Sequence, residues 1–362
     1  MGKRLPIVEF VALIAFLFSL IAIGTDMMLP ALNNISIDLN LKQNNHAQLI
    51  ITIFLLGTGL GQLIAGPISD TYGRKVVLCV GIFLFITASI LAIITSNFSM
   101  LLVARFVQGL GISAPRAAGT AMVRDLYFGR KLARVISLAM MIFVLAPAVA
   151  PLMGQYLMIN FGWRSIFTVC TIAGLIAFLW LLIRQEETLS IENRQPFQML
   201  NLIQGYKTTF TNKRVIISTL VQALVLGGLF SYIASAPQIF IYWLNVETKF
   251  PIYFCGIAFF AAFSNILNAL LVEKLGMWFL STCACGFNMV FSIITLCVFY
   301  SEIIPSSYNL YIFIIWSCVL LFNIAFSVGN LIENSIETVC QIDGLAVSYK
   351  HLRAHQTHND HV

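Results

Sequence analysis

Charge is what this chain has least of. Asp, Glu, Lys and Arg make up 10% of its 362 residues, against roughly 25% in an ordinary soluble domain. With 59% hydrophobic residues, there is too little polar surface to cover a water-soluble globule. Nucleotide-binding and hydrolytic signatures are missing too. No GxxxxGK[ST] is present, so the chain carries no ATP engine of its own, and neither HExxH nor GxSxG occurs. No histidine falls inside an apolar run. The eight cysteines (79, 170, 255, 283, 285, 297, 318 and 340) lie nearly all within such runs, where cysteine packs as a small apolar residue. They form no disulfide framework, and Cys283-Ala284-Cys285 stands too alone for a metal site. Neither an enzyme nor a cofactor or metal is expected.

What the chain does have is long apolar runs. Ten of them, at 7–30, 47–66, 76–96, 99–122, 134–158, 164–183, 215–243, 251–272, 277–299 and 308–332, reach the 20 or so residues that cross a bilayer as helix. They lack the alternation of membrane strands. An all-α polytopic membrane protein is predicted. Its first run has no small-residue cleavage site, so it reads as a retained helix.

Basic residues set the expected orientation. With the N-terminus inside, the inner segments hold Lys3, Arg4, Arg74, Lys75, Arg124, Arg130, Lys131, Arg134, Arg184, Arg194, Lys207, Lys213, Arg214 and Lys274. The outer segments hold only Lys42, Arg164 and Lys249. The net charge of +6 is thus a mark of topology, and nucleic acid is not an expected partner.

One long polar stretch, 184–214, divides six spans from four. The expected domains are a six-helix bundle over 1–183, a cytoplasmic loop over 184–214, an incomplete four-helix bundle over 215–334 and an atypical tail over 335–362. "VEKLGMWF" after the second span of the later group echoes "SDTYGRKV" after the second span of the first, which suggests duplicated halves. The tail holds His351, His355, His358 and His361. It reads as non-native sequence ending a fragment rather than as a metal site.

Asp26, Arg105 and Arg116 fall inside spans. Each costs about 2.5–3.5 kcal/mol at mid-membrane on insertion scales, so each needs a partner or a wet cavity. At about 1.5 Å per residue, Asp26 and Arg105 share a depth and are expected to meet across a central cavity. They form either a structural ion pair or a proton- and substrate-responsive site. Around Arg105 the fourth span is rich in small residues, Gly109 and Gly111 among them, that let helices approach closely. The fifth span carries Pro147 and Pro151 one turn apart, a bending point or a packing feature. In "GPISDTYGRKVV", Gly66 and Gly73 are expected to allow a tight turn and Pro67 to end its helix. Arg74 and Lys75 anchor that turn inside. Asp70 suits a bond to a base or to a helix N-terminus.

These residues resemble a known family, the major facilitator superfamily. "GPISDTYGRKVVL" matches its loop motif at Gly66, Asp70, Gly73, Arg74 and Lys75, with Thr71 where a base is usual. "LLVARFVQGLG" is similar to its fourth-helix motif at Arg105, Gln108, Gly109 and Gly111. "APAVAPLMGQ" is similar to the antiporter motif of the fifth helix through Pro147, Pro151 and Gly154, although Ala146, Ala150 and Gln155 replace its glycines. "TDMMLPAL", "MVRDLY" and "GWRSIF" resemble the Bcr/CflA-type drug-resistance branch.

The resemblance implies alternating access between two bundles in the bacterial cytoplasmic membrane, by a monomer. It implies export of drug-like molecules in exchange for protons, driven by the proton gradient. On this sequence, Asp26 becomes the carboxylate that answers to protons and substrate. Arg105 becomes the helix-four base linked to proton coupling, and Asp70 with Arg74 the inner gate. Family members have twelve helices against ten here, so a C-terminally truncated chain without the loop's helix-eleven partner is expected. The alternatives are a uniporter or symporter for a sugar or metabolite, whose candidate polar residues (Gln222, Asn265, Asn268, Asn323) are sparse, and a non-functional fragment.

Overall fold

A computed structural model describes residues 5–41, 44–194, 196–197, 211, 213–246, 249–301 and 305–331. Every regular element among them is helical. In lipid each backbone N–H and C=O must find its partner within the segment, and a helix does that without help from a neighbouring strand.

The helices are α1 (Ile7–Asp26), α2 (Leu32–Asp38), α3 (Leu49–Tyr72), α4 (Arg74–Ile94), α5 (Phe98–Leu126), α6 (Gly129–Phe161), α7 (Arg164–Arg184), α8 (Lys213–Gln238), α9 (Phe250–Leu275) and α10 (Met277–Ser301). A last helical segment, α11, covers Asn309–Leu331. Each of the ten predicted spans falls on one of them. Among the described residues nine helical segments, one running Ile7–Asp38, are long and apolar enough to cross a membrane. The protein is a multi-pass membrane protein. The helix ends that carry the 66–75 segment form the basic face.

Two local expectations need correction. Pro67 does not end its helix, and Gly66 makes no turn: α3 runs through both to Tyr72. A proline removes only its own N–H, and a membrane helix tolerates that loss. The break comes instead at Gly73, whose φ of 105° suits a residue without Cβ. The first span, read as 7–30, is broken: α1 stops at Asp26, and a 3-10 turn at Leu29–Ala31, with Pro30 near its start, leads into α2.

The chain forms two compact units. One comprises Met1–Phe197 and Ile233–Phe259, the other Gln198–Tyr232 and Phe260–Val362. Polar and aromatic contacts occur within the first unit. The Gln48 amide donates to Gln238 Oε1 at 3.0 Å, and Phe240, Phe250 and Phe254 are buried and mutually packed. The expected tail over 335–362, with its four histidines, lies outside the described residues.

In the first unit α5 is the central helix, because its glycines let two neighbours close in. A methyl group on Gly109 would collide with the Phe54 carbonyl of α3. One on Gly81 of α4 would lie 2.6 Å from the Gly111 carbonyl. Phe54, Phe85 and the Leu13, Ile14, Leu17 and Leu20 face of α1 pack into one buried core. In the second unit Asn268 of α9 and Asn330 of α11 exchange amide hydrogen bonds at 3.1 and 2.8 Å. Two polar side chains that lipid could not satisfy are thereby satisfied.

Candidate functional site

Arg105 enters the bundle from α5 and is fully buried. Its Nε donates to the Ile50 carbonyl of α3 at 3.1 Å. Nη2 donates to the Gly24 carbonyl of α1 at 2.9 Å, and Nη1 to Gln108 Oε1 one turn along α5. The Gln108 amide passes the chain on to Ser89 Oγ of α4 at 2.7 Å. The guanidinium lies 4.3 Å from the centroid of Phe54 and 5.8 Å from that of Phe167, so ring faces cover what the carbonyls leave. One side chain thus reaches α1, α3 and, through Gln108, α4.

Asp26 is the last residue of α1 and is 6% exposed. It makes no ion pair among the described residues. The expected Asp26–Arg105 contact is therefore not formed. Shared depth does not bring the two together, because neutral acceptors on α1 and α3 have taken up the guanidinium. Arg105 meets α1 two residues before the acid, through backbone.

Gly154 of α6 closes the site from another side. A Cβ there would strike the carbonyl of Met27, the residue after Asp26. Of the two prolines expected to weaken this helix, Pro151 is buried and Pro147 half-buried, and α6 runs unbroken through both. Arg116 lies further along α5, beyond Pro115.

A second cluster sits at the basic face. Arg74, 8% exposed, pairs with Asp70 one turn back in α3 and with Asp125 Oδ2 of α5 at 3.2 Å, and donates to Ser69 Oγ at 2.7 Å. Lys75 Nζ donates to the Leu182 carbonyl at 2.8 Å. Of the two partners expected for Asp70, a base or a helix N-terminus, it takes the base Arg74, and the N-terminus of α4 is taken by Glu187. Its Oε1 accepts from the Arg74 N–H at 2.9 Å and its Oε2 from the Lys75 N–H at 3.1 Å. The same carboxylate takes the N–H groups of Thr188 and Leu189 at 2.9 and 3.1 Å. Thr188 Oγ1 in turn donates to Asp125 Oδ2 at 3.0 Å.

Sequence reasoning missed Asp125, Glu187 and Thr188. Asp125 stood within the quoted "MVRDLY", an acid at the polar end of an apolar run. Glu187 opens the polar stretch more than a hundred residues after Arg74, and no local spacing announces their contact. No group of His, Cys, Asp and Glu suited to a metal occurs among the described residues.

These two clusters, one buried between helices and one at a helix-to-helix turn, sit on the motifs singled out in the sequence. The Major Facilitator Superfamily profile matches residues 14–338. The chain belongs to this superfamily. That superfamily is one of transporters, not of enzymes. The chain is 32% identical over 272 residues to the bicyclomycin resistance protein homolog of Haemophilus influenzae, covering 74% of this chain and 67% of that one. With the uncharacterized MFS-type transporter YdgK of Bacillus subtilis it shares 35% over 233 residues, 63% and 58% of the two chains. With the multidrug resistance protein MdtL of Escherichia coli it shares 33% over 205 residues, 56% and 52%. The matched stretches thus span about half to two thirds of these relatives. A crystal structure of a D-xylose-proton symporter superposes with a TM-score of 0.68 over 91% of this superfamily member and 88% of that chain, at 13% identity. That likeness concerns the fold alone.

Proposed function

We propose that this chain is a proton-coupled antiporter that exports drug-like small molecules across the bacterial cytoplasmic membrane by alternating access, with its basic face and N-terminus in the cytoplasm and the monomer as its working unit. The observation that carries the reading is Asp26, a buried carboxylate without an ion-pair partner among the described residues, placed where α1 breaks. A buried charge without a partner is costly, and two species can relieve it: a cationic or donor-rich substrate, or a proton. Competition between them is what an exchanger needs.

Charged and open to the cytoplasm, Asp26 favours substrate. Open to the other side, it takes a proton, and substrate leaves. The returning proton supplies roughly 2.3 kcal/mol per 100 mV before any pH term. Arg105 holds the carbonyl of Gly24 and so ties α5 to the segment that changes. At the cytoplasmic face, the Asp70–Arg74–Asp125 cluster serves as the gate. Relatives named for multidrug and bicyclomycin resistance support the drug-like class.

The test is efflux of ethidium and of bicyclomycin from cells energised at several external pH values. Asp26→Asn is expected to abolish the pH dependence while the protein still reaches the membrane. Unchanged proton-driven export by that variant would sink the assignment.

A further inference from the structure

The first segment of the chain is tied to one helix at both of its ends. At the basic face Arg184, the last residue of α7, donates from Nε and Nη2 to the two oxygens of Glu9, both at 2.8 Å. Trp180, one turn earlier, adds its indole N–H to the same carboxylate at 3.4 Å. At the opposite face Arg164, the first residue of α7, donates from Nη1 to Asp38 Oδ2 at 2.8 Å. Trp163 beside it adds its indole N–H to that oxygen at 3.0 Å. The two ties share one composition: a carboxylate from the first segment, with an arginine and a tryptophan from α7 or its N-cap.

A half-exposed ion pair alone is a weak tether; these two are more than that. The pairing at Glu9 uses both carboxylate oxygens, which fixes direction as well as distance. At Asp38, Trp163 is almost wholly buried, and the Arg164 guanidinium stacks 4.1 Å from its ring centroid. Arg164 also reaches the Thr95 carbonyl just past α4 at 3.3 Å. Gly162, with φ at 78°, makes the turn that delivers both residues to the start of α7.

Between the ties lies the one interruption in the segment. Past Asp26 the bonds become i to i−3: the Met28 N–H reaches the Thr25 carbonyl at 3.3 Å and the Ala31 N–H the Met28 carbonyl at 3.0 Å. Helical order resumes only in α2. The break meets Gly154 of α6 at Met27, and Arg105 of α5 holds Gly24 just before it.

We propose that α7 is a strut that pins both ends of the first segment, and that Glu9, Arg184, Asp38 and Arg164 are positioning residues that confine the movement linked to Asp26 to residues 24–31. With the ends held, a change at Asp26 cannot dissipate as a sliding of the whole segment. It passes sideways, into α5 through Arg105 and into α6 through Gly154. The proposal rests on the export reading given above, and it adds that the ends of the segment stay on α7 throughout the cycle.

Cross-linking tests it. Cysteine pairs replace Glu9 with Arg184, or Asp38 with Arg164, in a chain whose accessible native cysteines are serine. A bifunctional methanethiosulfonate long enough to span the lost side chains joins each pair. Ethidium efflux after bridging is expected to match or exceed that of the unbridged protein, because the bridge restores the lost tie, whereas a loss of about tenfold, reversed by a thiol reductant, overturns the strut. Because the cysteines remove the charges, a charge exchange serves as a second measurement. Asp38→Arg and Arg164→Asp are each expected to slow ethidium turnover while leaving equilibrium binding of ethidium to the purified protein unchanged, and the double exchange to restore part of the turnover. Equal loss of binding and turnover marks a merely structural contact and overturns the proposal. If the unaltered chain moves no ethidium, the export reading falls by itself. The double-mutant cycle on melting temperature then still decides the tie, since additive losses from the two single changes overturn it.

Discussion

At the residue scale, two ionisable side chains of opposite sign share the interior of one bundle without neutralising each other. Arg105 has spent its donors on the Gly24 and Ile50 carbonyls and on Gln108, and aromatic faces complete its surroundings. A guanidinium is suited to this because its fork can serve several acceptors at once. Asp26 is left with burial and, among the described residues, no ion pair. That difference separates the two groups experimentally. Asp26→Asn removes a buried charge without breaking an ion pair among the described residues, so the melting temperature of the purified protein is expected to hold or rise while the pH dependence of efflux is lost. A drop of several degrees would mean that the carboxylate is satisfied in a way its surroundings do not reveal. Glu187 is the opposite case, an acid whose oxygens serve four backbone N–H groups. Glu187→Ala uncaps α4 and is expected to cost about 1–2 kcal/mol locally. Hydrogen exchange at the Arg74 and Lys75 amides should quicken accordingly, with little change in the middle of α4.

At the scale of helices, close approach along α5 decides the packing of the first unit. Gly109 and Gly111 matter for the atoms a side chain would displace, which are backbone and cannot swing aside. Gly109→Ala drives a methyl into the Phe54 carbonyl and should force α3 and α5 apart. A loss of about 1–3 kcal/mol is expected, as for other overpacked sites. Gly66 makes a control within α3: a Cβ there meets nothing within 4 Å. Gly66→Ala should be neutral or stabilising by up to about 1 kcal/mol, since alanine loses less freedom in a helix. Parallel thermal unfolding of the two variants in one detergent checks the pair. If they behave alike, the helix contact is not what glycine serves at position 109. At Gly73 the two reasons for glycine coincide, because φ is 105° and a Cβ would run into the Glu187 carboxylate.

At the scale of the whole molecule, the basic face is where the 66–75 turn, the end of α5 and the start of the 184–214 stretch converge, around Arg74, Asp125 and Glu187. In the proposed orientation, which rests on the positive-inside bias, that face lies in the cytoplasm. Thr71→Cys should therefore be labelled by a membrane-impermeant maleimide in inside-out vesicles and stay unlabelled in intact cells. The reverse pattern would overturn the orientation and, with it, the direction of transport.

Composition alone was enough for the membrane class, and the apolar runs for its helices, because a bilayer demands long stretches that carry their own hydrogen bonds. The loop and fourth-helix motifs were legible because their chemistry is local: Gly73 beside Arg74, and Gln108 one turn from Arg105. What the sequence could not decide was partnership at a distance. Depth along two helices matched Asp26 to Arg105, yet azimuth and competing acceptors fix which groups meet, and both depend on how α1, α3 and α5 pack. The bonds from Glu187 to Arg74 and Lys75, and the two arginines of α7 that take Glu9 and Asp38, join residues more than a hundred positions apart. Only the tertiary fold brings those together, since no periodicity of a single helix encodes its neighbour.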